Sequence, residues 1–374
     1  MGAPVRVGLV TTSYPRFDGD PAGCFVAEHA RYLESQGHTV EVVAAGDRGD
    51  GIRVPGGALF YSGGGPEALE RGGAWGDAAL FTARITREVA RRARHWDAIT
   101  SHWLIPSALA AIIAAPRRPL LAIAHSGDVH TLRRIGALGA FATLAAARPR
   151  LRLSFVSRPL RDLFLAAAPR PLRARLAARA QVCPMGVDVA RLRAAPRTAA
   201  TTATVLFLGR LVPVKGAAIA AAAARLWRAP ARLIVAGAGP DEAALRALAA
   251  SAPPGRIEIC GEVLGAARDR LLAAADLVVL PSTVTPDGRT EGMPLAALEA
   301  MAAGAAVIAS AVGGLADIPV VTHVPPADPA ALAAAIDRLL ESPTARAAQV
   351  AAQSLFVDQH DWSRLGPRLD PTSG

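Results

Sequence analysis

Short apolar runs that end in polar or glycine-bearing loops and lead into helical patterns recur through both halves of the chain. This alternation restricts it to an open, parallel α/β architecture. Val5 to Val10 reads as a buried strand, Ala22 to Ser35 as an amphipathic helix closed by Gly37, and Thr39 to Ala44 as the next strand. Residues 51–75 are glycine-rich and irregular. Asp77 to Arg94 then reads as a helix, Ala98 to His102 as a strand, Leu104 to Ala114 as a helix and Leu120 to His125 as a further buried strand. Ser154 to Ser157, a helix from Pro159 and a last strand near Val182 complete the first half. The alternation restarts with strands at Val205 to Leu208, Leu233 to Ala236 and Ile257 to Cys260, separated by helices at Lys215 to Trp227 and Asp241 to Ala250.

At 374 residues the chain exceeds the size at which one core stops growing, so two doubly wound domains are expected. The boundaries read as 1–190 for the first domain, 191–203 for a linker, 204–352 for the second domain and 353–374 for a closing segment. Hydrophobic residues make up 52% of the chain and aromatic residues only 5%, Ala supplying much of the difference. The apolar run at the start is too short for a secretory signal, and the low-polarity stretch Leu295 to Leu315 is interrupted by Glu299 and by glycine breaks at two places, Gly304 and Gly313-Gly314. Cys24, Cys183 and Cys260 lie far apart without paired spacing, which fits a reducing cytoplasm and neither a disulfide framework nor a zinc site.

A formal net charge of +10 invites an acidic partner: nucleic acid, nucleotide or anionic lipid. Nucleic acid is set aside, since no recognisable module and few aromatics accompany the basic clusters. Arginines crowd the first half, at Arg84, Arg87, Arg91, Arg92 and Arg94, then at Arg133, Arg134, Arg148, Arg150 and Arg152. A solvated face and attraction to an anionic membrane surface are the two readings of that crowding.

The stretch Leu277 to Gly304, LVVLPSTVTPDGRTEGMPLAALEAMAAG, carries the clearest chemistry. Leu277 to Leu280 reads as a buried strand and Pro281 to Thr290 as a loop. A helix follows, with Pro294 at its first position and Gly304 at its stop. Glu291 falls just before that helix and Glu299 more than a turn inside it, eight residues on. The backbone N–H groups of Gly292, Met293 and Leu295 sit at the positive helix end and suit an anion flanked by sugar hydroxyls. A capped helix with two solvated glutamates fits the same spacing.

Other loops fall at the carboxyl ends of predicted strands, where open α/β sheets bind ligands. GRLVPVKG brings Arg210 and Lys215 out of one strand-to-helix loop, two cations able to neutralise a diphosphate. HSGD places His125 and Asp128 at another strand end, and His102 occupies a third. For each histidine a structural role competes with a functional one. The loop TTSYPRFDGDPAG ends in Gly23, either to let a ligand phosphate approach or merely to serve a turn. Asp18 and Asp20 sit mid-loop as turn formers rather than as a metal motif, so no metal is assigned. Gly237 to Gly239 lacks the third glycine and acidic residue of a dinucleotide fingerprint.

Together these stretches resemble retaining GT-B glycosyltransferases of family 4, the E-x7-E class. The matches are SYPRFDGDPAGCF, SHWLIPS, AHSGD, PMGVD, GRLVPVKG, VAGAGPDE, GEV, PSTVTPDGRTEGMP and EAMAAG, in the family's order along nearly the whole chain. The resemblance implies two Rossmann-like domains facing across a cleft and a nucleotide-diphosphate sugar held mainly by the second. It implies an acceptor, glycan or lipid-linked, on the first, and no cofactor beyond the donor substrate. Arg210 and Lys215 would hold the diphosphate, Glu299 the donor ribose and Glu291 the transferred sugar. Gly292, Met293, Pro294 and Leu295 would face phosphate and sugar. His125 would line the reacting centre, Gly23 would admit the donor, and His102 and Asp128 would lie on the acceptor side. Transfer with retention and without metal is expected, in the cytoplasm, with peripheral attachment to the inner face of the membrane left open. Met185, Ser126 and Met293-Pro294 depart from the family's usual residues, the last in the manner of its exopolysaccharide and lipid-linked sugar subgroup. A nucleotide-sugar epimerase and a non-catalytic nucleotide-sugar-binding subunit are the alternative functions.

Overall fold

The computed structural model describes residues 4–17, 19–56, 60, 74–197, 201–286, 288 and 290–373. These divide into two units, one of residues 1–186 with 362–374 and one of residues 187–361. Among the described residues no helix is long and apolar enough to cross a membrane.

The first unit is built on seven parallel strands: β1 (Arg6–Thr11), β2 (Thr39–Ala45), β3 (Ile52–Val54), β4 (Ala98–His102), β5 (Leu120–Ala124), β6 (Leu151–Phe155) and β7 (Ala180–Val182). Their order is β3-β2-β1-β4-β5-β6-β7. The direction of winding therefore reverses between β1 and β4, whose register pairs Val7 with Ala98. Every residue of β4 and β5 is buried, the pattern that covering both faces of a parallel sheet demands. β4 nonetheless carries Thr100, Ser101 and His102.

The second unit holds six strands: β8 (Ala203–Leu208), β9 (Ala231–Ala236), β10 (Ile257–Gly261), β11 (Leu277–Leu280), β12 (Ala306–Ser310) and β13 (Thr322–Val324). The order β10-β9-β8-β11-β12-β13 reverses between β8 and β11. One face packs Leu206, Val278, Val307 and Ala309 against the helix Leu295–Ala302, and the other packs Val205, Phe207, Val279 and Ile308 against Ala217–Ala224 and Pro329–Glu341.

Several elements differ from the sequence reading. The helical pattern from Leu104 breaks at Ile105, which is extended (φ −127°, ψ 139°) because the following Pro106 disfavours the helical region, and a regular helix resumes only at Leu109–Ala114. The helix expected from Lys215 to Trp227 shortens to Ala217–Ala224, since Gly216 at its start holds φ 71°. Across the expected start of the linker at 191, Val189–Arg193 is helical, with the Asp188 carboxylate accepting from Arg191 N at 2.9 Å. Helices also form at Gly127–Arg134, Leu138–Ala147, Arg170–Ala177, Gly265–Ala274, Pro343–Asp358 and Trp362–Leu369.

The arginine crowding resolves into distinct jobs. Arg148 is buried and donates to the carbonyls of Ala111, Ala115 and Arg118, closing the end of the helix Leu109–Ala114, and burial pushes its pKa down to about 10. Arg152 donates to the carbonyls of Arg368 (3.0 Å) and Asp370 (3.2 Å), fastening the closing helix to the first unit. On the helix Trp75–Arg92, Glu88 takes both Arg91 (3.3 Å) and Arg92 (2.7 Å), and Arg92 also reaches Glu41 at 2.8 Å.

Candidate functional site

In the second unit the loops after β8 and β11 meet where the winding reverses, the position at which such sheets bind ligands. After β8 the chain passes Arg210, makes a tight turn at Pro213–Lys215 and enters its helix through Gly216. A Cβ on Gly216 would lie 1.9 Å from the Pro281 carbonyl oxygen, so glycine alone lets the two loops touch. Thr283 N donates to Val214 O at 2.9 Å and holds that contact. The result brings Lys215 Nζ to 2.8 Å from Glu291 Oε2. Arg210 lies half-buried on the same loop. Gly237 and Gly239 serve packing, because a Cβ on either would strike the backbone of Gly209 or Leu211.

Pro294 does not occupy the first helical position. Its ψ of 117° is extended, making it the cap of the helix Leu295–Ala302. The first helical hydrogen bond runs from Ala297 N to Pro294 O at 3.0 Å, so the N–H groups of Gly292, Met293 and Leu295 all precede it. Glu291 is anchored through its own carbonyl, which accepts from Gly314 N at 3.2 Å. Glu299 is buried, and its two carboxylate oxygens accept from Arg268 Nη1 at 2.9 Å and from Arg268 Nη2. This bidentate partner escaped the sequence reading: Arg268 sits in the helix Gly265–Ala274 beside Arg270, and no spacing distinguishes the two. Asp287 and Arg289 of the intervening loop lie outside the described residues.

In the first unit, His102 ends β4 and His125 follows β5. The structure brings them together: His102 Nδ1 is 3.0 Å from His125 Nε2. A third ring, His29 of the helix Cys24–Ser35, places Nδ1 2.9 Å from His102 Nε2. His29 Nε2 in turn meets the Leu369 carbonyl at 3.0 Å. Phe25 and Trp103 pack against His125 with ring centroids 5.1 Å and 4.9 Å away, and Trp362 stacks on His29 at 5.4 Å. Burial drives all three imidazoles toward the neutral form, His29 to about 4, His125 to about 3 and His102 well below its ordinary value.

Asp128 is buried beside them with its carboxylate turned to backbone donors. Leu104 N donates at 2.6 Å, His125 N at 3.2 Å, Ser126 N at 3.1 Å and Val129 N at 3.0 Å. Burial raises its pKa against the pull of those donors. Its visible work is to fold the turn that carries His125. Gly23 caps the helix Cys24–Ser35 at φ 72°, and a Cβ there would lie 2.3 Å from Ser13 O, so the fold of the loop itself demands the glycine. Asp20 accepts from Arg16 N (3.1 Å) and Ala22 N (3.0 Å), while Asp18 lies outside the described residues.

Residues 22–191 match the model of Glycosyltransferase Family 4, and residues 202–342 match that of Glycosyl transferases group 1. The phosphatidyl-myo-inositol mannosyltransferase of Mycolicibacterium smegmatis is 36% identical over 199 residues, 50% of this chain and 49% of that protein. The amylovoran biosynthesis glycosyltransferase AmsK of Erwinia amylovora is 30% identical over 184 residues, 44% of each. The chain thus matches about half the length of these curated relatives. Among solved structures, Anabaena HepE in complex with UDP and glucose superposes with a TM-score of 0.72 at 18% identity, covering 98% of each chain. The chain is therefore built from a glycosyltransferase family 4 domain followed by a glycosyl transferases group 1 domain, on the two Rossmann-like sheets of a GT-B protein.

Proposed function

We propose that the protein moves a sugar, with retention, from a nucleotide-diphosphate sugar to a hydroxyl of a glycan or lipid-linked acceptor, without a divalent metal. The observation that carries this reading is the junction at the second unit's winding reversal. There Lys215, Glu291 and the start of the helix Leu295–Ala302 converge on one sheet edge. As the sugar leaves, negative charge gathers on the diphosphate. Lys215, Arg210 and the N–H groups of Gly292, Met293 and Leu295 are preorganised to stabilise it, which lowers the barrier where charge develops. Glu299, oriented by Arg268, takes the ribose hydroxyls, and Glu291 faces the sugar. The leaving phosphate accepts the proton of the attacking hydroxyl on the same face, which retains the anomeric configuration. His125 is read as a contact of the transferred sugar.

A UDP-sugar is the first donor to try, because HepE was solved with UDP and glucose. The similarity to a phosphatidyl-myo-inositol mannosyltransferase and to an amylovoran biosynthesis glycosyltransferase supports an acceptor of the proposed kinds. The test is a thermal-shift panel of UDP, GDP and ADP with their sugars, followed by detection of a glycoside product. A donor at large excess over its Kd should stabilise the protein by roughly 3 kcal/mol. Interconversion of two sugar nucleotides with no glycoside formed would replace transfer by epimerisation, and binding without turnover would leave a non-catalytic subunit.

A further inference from the structure

Three histidines in one hydrogen-bonded row, two buried and the third half-buried, have only a few self-consistent proton arrangements. The Leu369 carbonyl can only accept, so His29 Nε2 must carry a hydrogen. In a neutral ring His29 Nδ1 is then an acceptor, and the 2.9 Å contact requires His102 Nε2 to donate. His102 Nδ1 becomes an acceptor in turn, and the 3.0 Å contact requires the hydrogen on His125 Nε2. His125 Nδ1 is left with its lone pair, and the residue as a whole is half-buried.

We propose that His29 and His102 form a relay, anchored on the Leu369 carbonyl, that locks His125 as its Nε2–H tautomer and holds Nδ1 as a fixed hydrogen-bond acceptor for the transferred sugar. The proposal rests on the reading that His125 faces that sugar. His29 and His102 are positioning residues: both are fully buried and act only through the ring next to them. An isolated imidazole exchanges its proton between the two nitrogens, and a ring that must accept from a hydroxyl would spend part of its time as a donor there. Burial supports the row by keeping the rings neutral: a proton added to His125 would occupy Nδ1 itself, and one added to His29 or His102 would meet the hydrogen of the next ring and drive the row into the other tautomer.

The anchor has its own physical reason. Leu369 is the last residue of the helix Trp362–Leu369, where carbonyls lack a helical partner. The neighbouring Arg368 carbonyl is taken by Gln181 and Arg152, which donate to it at 2.8 Å and 3.0 Å. His29 takes the Leu369 carbonyl, and stacking on Trp362 fixes the plane of its ring.

The experiment is long-range 1H–15N correlation of the imidazole nitrogens in the full chain, assigned through single-histidine variants, beside nucleotide release from a panel of UDP-, GDP- and ADP-sugars. His125 should show a protonated Nε2 and an unprotonated Nδ1. In His102→Leu the two forms should mix, and kcat should fall about tenfold to a hundredfold, the usual cost of losing a group that orients a functional histidine, with donor Kd unchanged. His102→Asn, whose amide oxygen replaces Nδ1 as acceptor, should restore both. His29→Phe keeps the stack on Trp362 and serves where the leucine variant fails to fold. It should loosen the His102 tautomer first.

A His125 that stays in one tautomer in both His102→Leu and His29→Phe overturns the relay. A tautomer that mixes while kcat holds overturns the role given to Nδ1. No turnover of any panel donor by the unsubstituted chain would sink glycosyl transfer and that role with it, while the spectra would still judge the relay.

Discussion

Lys215 Nζ lies 2.8 Å from Glu291 Oε2, so the cation assigned to the diphosphate and the carboxylate assigned to the sugar form one half-buried ion pair across two loops. Each therefore sets the other's position, and their variants should be separable by kinetics. Lys215→Ala is expected to weaken donor binding by about 1.5 to 3 kcal/mol, roughly ten- to a hundredfold in Kd, because a charged hydrogen bond to phosphate is lost. Glu291→Gln is expected chiefly to lower kcat. Titration calorimetry with steady-state kinetics checks both, and equal, negligible effects would remove the pair from the site.

Glu299 presents a different balance. Glu299→Gln should weaken donor affinity by about 1.5 to 3 kcal/mol with a smaller effect on kcat. Arg268→Ala should show the same affinity loss and, in addition, cost about 1 to 3 kcal/mol of folding stability, since it strands a buried carboxylate. Urea melts and donor titration of both variants decide. Normal donor affinity in Arg268→Ala would mean that the arginine does not orient Glu299.

The histidine row makes a prediction about acid. In the unfolded chain each histidine takes a proton below about pH 6.5, whereas folded His29 resists until about 4 and His125 until about 3. The unfolded state thus binds more protons in that window, and stability rises with pH there. It is full above about 6.5 and lost as the pH falls toward 4, at about 1.4 kcal/mol per pH unit for each fully buried ring. Asp370 acts in a lower window. Burial raises its pKa, but hydrogen bonds from Thr372 and His38 outweigh that, so its share is lost only as the pH falls through its depressed value. Urea midpoints at pH 7.5, 6 and 5 should decline steadily, less so in His29→Phe. A flat series would contradict buried neutral imidazoles.

Attachment to anionic membrane through the first unit is expected from the helix Trp75–Arg92 and its surroundings. Trp75, Leu80 and Ile113 are exposed there, beside Arg84 and Arg87, which have no carboxylate partner among the described residues. Arg91 and Arg92 are already committed to Glu88 and Glu41, so the basic face is smaller than the sequence suggests. Each well-placed arginine should contribute about 1 kcal/mol at an anionic surface. Vesicle co-sedimentation at low salt should favour anionic over neutral lipid, and Arg84→Ala with Arg87→Ala should erase that preference. Equal partition of the unsubstituted protein would reduce the face to a solvated one.

Activity should survive exhaustive EDTA treatment. Arg210, Lys215 and the helix start supply the charge that a metal would otherwise bring to the leaving diphosphate. Asp20 is occupied by backbone donors of its own loop. Complete loss with EDTA, restored by magnesium or manganese and mimicked by Asp18→Ala with Asp20→Ala, would overturn the metal-free mechanism.

How much was legible in the sequence depends on how each feature is encoded. Leu277–Leu280 and the loop ends at Arg210, Lys215, Glu291 and His125 were readable because an apolar run and its abrupt stop are local signals. Several helices were not. Leu138–Ala147, LGAFATLAAA, is apolar on every face, so no periodic contrast marks it. Pro294 was misplaced by one position because sequence gives its φ but not its ψ. The partners of the site residues left no trace either. His29 looks like one more member of an amphipathic helix, and its contacts with His102 and Leu369 join residues 73 and 340 positions apart. Such pairings depend on the topology that folds them together.

The return of the closing helix to the first unit has a consequence for the order of folding. Synthesis delivers residues 1–186 early, yet that unit waits for residues 362–374 to complete it, after the whole second unit has emerged. Until then His29 lacks its carbonyl, Arg152 lacks Arg368 and Asp370, and Tyr32 lacks the backbone of Gly366, where even a methyl group would lie 2.2 Å from its ring. A nascent chain stalled before Trp362 should therefore hold a finished second unit beside an unfinished first one. Residues 362–374, translated after the second unit, act as the fastening step of the first.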